Sequence, residues 1–300
     1  MEKQKLRLMR VKRKHILARL LLSLAAVVIL LPVVLTALYS FFSPNEIKAF
    51  MQTRGSFDAA SLMEIKLSPN MFSLSQYYKI LIEDMTILRY FVNSAMYTAA
   101  ILFGQALLIP AMAYALSRFK FRGRDALFFV VIMLMLLPFQ VTMVPNVITL
   151  RAMGLLDTIW AIILPMTVAP FYIFLLRQYM VGLPGEMIEA AQIDGATRLR
   201  RVIHIDFPAL LPTASIMLIM GAGSIMNVGF EKAYLMQNSM NLAASEIIAT
   251  YVYKVGMSGG FTQFSYASAI GLFNSLINCA MLVLFNGLSR RFGQDGGSLF

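Results

Sequence analysis

The sequence predicts an all-α integral membrane protein with six transmembrane helices and with its N- and C-termini on the cytoplasmic side. Three observations carry that prediction. Of 300 residues, 59% are hydrophobic and 14% charged, where a soluble domain carries about 25% charged residues; mean hydropathy is positive. The apolar residues gather into six runs, 20–42, 90–117, 126–148, 159–181, 209–230 and 267–289, close to the ~20 residues a helix needs to cross a bilayer. Finally, Lys and Arg fall unevenly between the segments that join those runs.

Each run is expected to be helical, because backbone N–H and C=O groups in hydrocarbon need partners within their own segment. Residues 1–19 form a basic cytoplasmic N-terminus. The first run, 20–42, resembles a signal peptide in its basic flank. Its apolar stretch is longer than a signal core, however, and it ends in YSFFSPNE with no small-x-small cleavage site, so it reads as an uncleaved anchor. Residues 43–89 are a polar extracytoplasmic segment. Within it, Ser73 and Gln76 have capping-box spacing, and Leu74, Tyr77, Tyr78 and Leu81 share one helical face, as in a helix lying at the membrane interface. Residues 90–292 form the core domain, interrupted by a polar segment at 182–208, and 293–300 are a cytoplasmic tail. The fifth run is the weakest of the six because of its glycines and Asn227.

With the N-terminus inside, the internal segments hold the eight basic residues from Lys3 to Arg19. They also hold Arg118, Lys120, Arg122, Arg124, Arg177, Arg198, Arg200, Arg201, Arg290 and Arg291. These are 18 of the 26 basic residues, against seven of the 15 acidic ones, so the net charge of +11 lies on one face, as the positive-inside rule expects. The basic balance therefore points to membrane topology. A nucleic-acid partner is not expected, since no aromatic interleaving or folded basic module accompanies the charges. A single cysteine, Cys279, excludes an intrachain disulfide. The two histidines, His15 and His204, have no second ligand at metal spacing, so no metal site is expected.

The segment 182–208 carries Glu186, Glu189, Asp194, Arg198, Arg200, Arg201 and Asp206. Each costs about 2.5–3.5 kcal/mol at a bilayer centre, which rules out a seventh span. Its grammar is helical all the same. Pro184 suits a first turn, with Glu186 near the positive helix end. GEMIEAAQID then runs to Gly195, a residue that accepts φ > 0, and ATRLRRVIHI forms a second short helix until Pro208 opens the fifth span. Two short helices joined at a glycine make a knob, and Ala190 and Ala191 give it a smooth side. Physical reasoning leaves two readings open: a rigid docking element, or an amphipathic loop resting on headgroups.

The segment resembles the cytoplasmic loop signature of ABC-importer permeases: Glu-Ala-Ala, three residues, Gly, nine residues, Ile, one residue, Leu-Pro. Here it is Glu189-Ala190-Ala191, Gly195, Ile205, Phe207 and Pro208, with Phe207 where Leu is usual. LPFQVTMVPNVITLRAMGLLDTIWAIILP, FLLRQYMVGLPGEMIEAAQIDGA and NVGFEKAYLMQN are similar to the carbohydrate-uptake branch, in particular its maltose-type second permease subunit and an oligosaccharide subgroup. The resemblance covers about residues 70–292 and implies a type I importer fold. It implies that 182–208 is a coupling loop docked in a groove of an ATPase subunit. There Glu189 would make a charged contact, Ala190 and Ala191 would pack, and Asp194 would belong to the same docking set. Gly195 would form the turn, and Ile205 and Pro208 would anchor the knob to the fifth span. The implied partners are a homologous second permease, an ABC ATPase dimer that binds ATP and Mg, an extracytoplasmic solute-binding protein, membrane lipid and an oligosaccharide cargo. The implied location is a bacterial cytoplasmic membrane, and the alternative cargo is a polyamine or other small solute. No Gly-Lys dipeptide occurs, hence no phosphate-binding loop; no catalytic residue and no cofactor are expected in this chain.

Three further features carry weaker readings. GMSGG at 256–260 fits G-x-S-x-G, which in a hydrolase needs a strand–turn–helix and a histidine base; both histidines are expected on the opposite membrane face from Ser258, so a flexible outer loop is expected. Ala267, Gly271, Ser275 and Cys279 form a ridge of small residues suited to close helix packing. Asn227, Asn274 and Asn278 are candidates for a cargo path because amides both donate and accept, and equally for interhelical hydrogen bonds. A secondary transporter would be expected to place ionisable groups inside its spans, and these spans hold almost none. The outer segment 231–266 corresponds by position to the loop that reaches into the binding protein in maltose-type relatives.

Overall fold

The computed structural model describes residues 2–52, 69–183, 185–222, 229–238, 241–258 and 263–292, and among them all regular structure is helical. The elements are α1 (Glu2–Ser40), α2 (Pro44–Gln52), α3 (Ser75–Tyr78, continued by a π turn Lys79–Glu83), α4 (Met85–Arg118), α5 (Arg124–Leu136), α6 (Phe139–Ala152), α7 (Trp160–Thr167) and α8 (Pro170–Gly182). There follow α9 (Gly185–Ile193), α10 (Arg198–Arg201, continued by a π turn Val202–Asp206), α11 (Phe207–Ala222), α12 (Phe230–Met236), α13 (Leu242–Ser245), α14 (Ile248–Ser258) and α15 (Phe264–Phe292). The chain divides into two compact units, Met1–Asp84 with Val252–Phe273, and Met85–Tyr251 with Asn274–Phe300.

Four helical stretches are long and apolar enough to cross a membrane: Ala18–Ser40, Met85–Arg118, Trp160–Gly182 and Phe264–Gly287. They correspond to the first, second, fourth and sixth predicted runs. The third run, expected as one helix over 126–148, is a pair, α5 and α6, set at 112°. Its break lies at Leu137 and Pro138, both extended (ψ 129° and 141°), because a proline disfavours helical geometry in the residue before it. Counting that pair gives a fifth candidate span. For the fifth run the described helix, α11, has 16 residues, short of a bilayer crossing; Asn227 lies outside the described residues.

Within the first unit, the apolar window of α1 buries no residue in this chain, and packing begins at the end of that helix. Phe42, Ile47 and Ile80 are buried, the Tyr77 hydroxyl donates to Ser40 Oγ at 2.8 Å, and Ser265 Oγ donates to the Phe42 carbonyl at 2.6 Å. The expected capping box at Ser73 and Gln76 does not form. The Ser73 N–H donates instead to the Phe41 carbonyl, Ser73 Oγ engages Ser75, and Gln76 is buried. Leu74, Tyr78 and Leu81 are exposed as an interfacial helix requires, but Tyr77 turns inward. Ala267, from the ridge of small residues, sits 3.5 Å from where a Cβ on Gly256 would be, whereas Ser275 and Cys279 of the same ridge, in the second unit, are exposed.

The second unit is built on α4, which packs along α8 and α7. One buried cluster joins Ile109, Ala113 and Leu116 of α4 to Val131 of α5, Ile173, Leu176 and Met180 of α8, and Leu210 of α11. A second joins Tyr97 and Ile101 to Ile162, Ile163, Ala233 and Ile247. The α4–α7 approach is close: a Cβ on Gly104 would lie 2.5 Å from Thr167 Cγ2, so glycine is required there. α7 and α8 part at Ala169 (φ −104°, ψ 106°), just before Pro170. Pro170 has no N–H to offer the Met166 carbonyl one turn back, and the Gln105 amide supplies that bond from α4 at 2.8 Å. The described residues of 231–266, a segment read from composition as a loop, are largely helical, belonging mostly to α12, α13 and α14.

Candidate functional site

The polar segment begins with α9, whose described side chains are largely unengaged. Glu186, Glu189, Ala190, Asp194 and Gly195 are exposed and Ala191 is half-buried. Ile193 is 86% exposed, an apolar side chain of the same helix that spacing did not single out. Gly195 has φ +74°, a left-handed conformation that costs an L side chain roughly 1–2 kcal/mol. The Ala196 N–H closes on the Ala191 carbonyl at 2.9 Å, the six-to-one bond of a glycine-terminated helix. The helix thus stops where the sequence predicts. Thr197 begins the next turn: its Oγ1 accepts from the Arg200 N–H at 3.4 Å and its carbonyl from the Arg201 N–H.

The second half of the segment departs from expectation. α10, the π turn and α11 run on without a break, so Pro208 lies inside a helical stretch and does not open one. In α geometry its ring would meet the carbonyl four residues back. The π turn relieves this, with the Phe207 N–H reaching the Val202 carbonyl. Ile205 is half-buried and Pro208 exposed. The buried residue between them is Asp206, which accepts a hydrogen bond on Oδ1 from Arg118 Nη2, the last residue of α4, at 3.0 Å. Sequence reasoning assigned Arg118 to topology and Asp206 to loop charge. An acid among VIHIDFPAL was the available signal, since a buried carboxylate needs a partner. Nearby, the Arg177 guanidinium of α8 lies 3.6 Å over the Phe128 ring of α5, and Phe128 stacks on Phe174.

A cavity of about 310 Å³ opens between α4, α8 and α11. Its wall is mostly apolar, with Gln105, Tyr172 and Ser215 as polar members. Asn274 and Asn278 are buried in α15 and are not on that wall, and Asn227 lies outside the described residues. Ser258 ends α14, a helical setting unlike the strand–turn of a hydrolase nucleophile. Among the described residues no group of three or more His, Cys, Asp or Glu is placed to hold a metal ion.

Residues 106–294 match the family described as the binding-protein-dependent transport system inner membrane component. Over 111 residues the chain is 40% identical to the polygalacturonan/rhamnogalacturonan transport system permease protein YteP of Bacillus subtilis (strain 168); this is 37% of this chain and only 34% of that relative. It is 31% identical over 206 residues to the multiple sugar-binding transport system permease protein MsmG of Streptococcus mutans serotype c (strain ATCC 700610 / UA159), covering 67% of this chain and 69% of the relative. A chain in the crystal structure of a bacterial alginate ABC transporter, complexed with alginate pentasaccharide-bound periplasmic protein, shares the fold. Its TM-score is 0.69 at 21% identity, over 95% of this chain and 98% of that one.

Proposed function

Since this chain belongs to the family of binding-protein-dependent transport system inner membrane components, we propose that it is a permease subunit of an ATP-driven importer for carbohydrate, in particular oligosaccharide. The observation that carries the coupling role is the shape of α9: a short helix with Glu189, Ala190 and Ile193 exposed, ended by a left-handed glycine. Such a surface is unsatisfied by its own chain and suits a groove in an ATPase subunit. The sugar class is supported by the relatives, a polygalacturonan/rhamnogalacturonan permease and a multiple sugar-binding transport permease.

In this reading the chain crosses the membrane six times with both termini inside, α5–α6 serving as a broken span and α11 (Phe207–Ala222) as the described part of the fifth. Glu189 meets a charged group of the ATPase, Ala190 and Ala191 pack in its groove, and Asp194 and Gly195 shape the turn. Ile205 and Pro208 join the knob to α11. A homologous second permease completes the pathway, and an extracytoplasmic solute-binding protein delivers the sugar. ATP and Mg are held by two ATPase copies, whose approach shifts the helices between inward- and outward-facing states.

The test is reconstitution with the ATPases and binding protein, measuring which oligosaccharides stimulate ATP hydrolysis. Stimulation by at least one is the expected outcome; a complex that answers to polyamine and to no sugar would overturn the cargo. Glu189→Lys and Gly195→Pro should cut ATPase co-purification while membrane insertion persists, and unchanged co-purification and uptake would sink the coupling role.

A further inference from the structure

We propose that the Arg118–Asp206 ion pair is the joint through which the coupling loop moves α4. This rests on the reading of residues 182–208 as that loop. Arg118 is the last residue of α4, and Asp206 the last of the π turn between α10 and α11. At one end Arg118 of α4 bonds Asp206, the residue before α11, at 3.0 Å; at the other a Cβ on Gly221 of α11 would lie 3.9 Å from Leu102 Cδ2 of α4. Between these points lies the cavity of about 310 Å³, walled by Ala106, Ile109 and Pro110 of α4 and by Leu211, Ala214 and Ser215 of α11. A movement of the loop that turns Asp206 therefore reaches α4 at one end of the gap, and a change at that end alters the gap.

An ion pair suits a joint better than it suits a rivet. The Asp206 side chain is 4% exposed and that of Arg118 18%, and a buried pair adds little stability over apolar packing while being directional and costly to break. The contact also has two available forms. One prong of the guanidinium, Nη2, is engaged, while Arg118 Nε is buried with no hydrogen-bond partner among the described residues. A rotation of the carboxylate would bring both prongs into a bidentate contact, the geometry arginine favours. The joint thus has a one-pronged and a two-pronged state, the discrete kind of element that transmits a movement.

The test uses the reconstituted complex in a Cys279→Ser background with Ala214→Cys on the cavity wall. The readout is the maleimide labelling rate with and without a non-hydrolysable ATP analogue. Asp206→Asn should reduce the nucleotide-induced change in rate at least fivefold, while ATPase co-purification stays within twofold of the parent. Arg118→Lys, which keeps the charge and lacks the fork, should give the same loss more weakly. The exchange Arg118→Asp with Asp206→Arg should recover at least half the response. The joint is overturned if Asp206→Asn responds like the parent, if it also strips the ATPases, or if the exchange stays as unresponsive as the single variant. Failure of the parent itself to retain ATPases would instead overturn the coupling-loop reading.

Discussion

Two polar regions interrupt the apolar helices of the second unit, and they handle their polar groups in opposite ways. In α9 and its turn, Glu186, Glu189 and Asp194 stand exposed. In the segment from α12 to the start of α14, the polar groups close on one another and on α4. Thr250 Oγ1 accepts from the Ile247 N–H and from Gln237 Nε2, and donates to Glu246 Oε1. Ser94 Oγ of α4 accepts from the Ile248 N–H, and Asn93 Nδ2 and the Tyr97 hydroxyl donate to carbonyls of residues 243–246. Asp157 accepts from Asn238 and Asn241. One region is satisfied largely within the chain, Gln237 Oε1 being its buried exception, and the other is left exposed, as the proposed docking to an ATPase requires. The difference teaches that polar content alone does not distinguish the two regions; what separates them is whether the polar groups are satisfied within the chain or left to solvent and to the ATPase proposed above.

The largest effect should come from the self-satisfied region. Thr250→Val keeps shape and removes a fully buried hydroxyl that serves three polar groups. An unsatisfied buried group costs about 1–3 kcal/mol, so a loss of about 3 kcal/mol is expected with partial relaxation. Unfolding in detergent should show it, and ATPase co-purification of the surviving folded protein should be unchanged. A stability loss under about 0.5 kcal/mol, the range of an ordinary surface change, would mean that the network is decoration.

Ile193→Ser should do the reverse. The side chain touches nothing in this chain that its loss would orphan, so stability should stay within about 0.5 kcal/mol. If it fills a groove of the ATPase, burying it is worth about 2 kcal/mol, and docking should weaken roughly 30-fold. Equal docking of the variant and the parent would break the comparison from the other side.

These two residues also show where reading from sequence alone runs out. Runs of hydrophobic residues place four spans within a few positions, because hydrocarbon thickness sets their length locally. The turn at Gly195 is equally local, a glycine where a helix must reverse. A proline within an apolar run is ambiguous between a kink and a break, so the α5–α6 bend at Pro138 escapes, as does the π turn that carries the chain through Pro208. Pairing is less accessible still: Asp206 meets Arg118 across 88 positions, and Ile248 meets Ser94 across 154. Nothing near either residue specifies its partner. Ile193 was an unremarked apolar residue until its exposure set it apart.

Gly195→Ala is a smaller perturbation of the exposed knob. A Cβ there meets nothing within 4 Å, so the cost is the left-handed backbone alone, about 1 kcal/mol. It should loosen the end of α9 without affecting the rest of the unit. Amide exchange should rise at Asp194 and Ala196 and stay unchanged at Ile247 and Ile248. Exchange that rises in both regions would mean that the knob is not an independent element.

The smallest effect is a pH dependence in the closed region. Lys232 is buried in α12, and desolvation holds its ammonium below the usual lysine range, opposed in part by Glu231 beside it. The unfolded chain keeps the ordinary value of about 10.4. Well below the lowered value both states carry the proton, and the fold bears the full cost of a desolvated charge. As pH rises through the folded value, the native lysine releases its proton before the unfolded one does. Native protein then binds fewer protons than unfolded protein, so stability increases with pH until about 10.4 and levels off above it. Melting temperatures in detergent at pH 8 and 9.5 should therefore rise for the parent relative to Lys232→Met, which has no proton to lose. Parallel curves for the two proteins would show that Lys232 reaches solvent, and that this region is less closed than its hydrogen bonds make it.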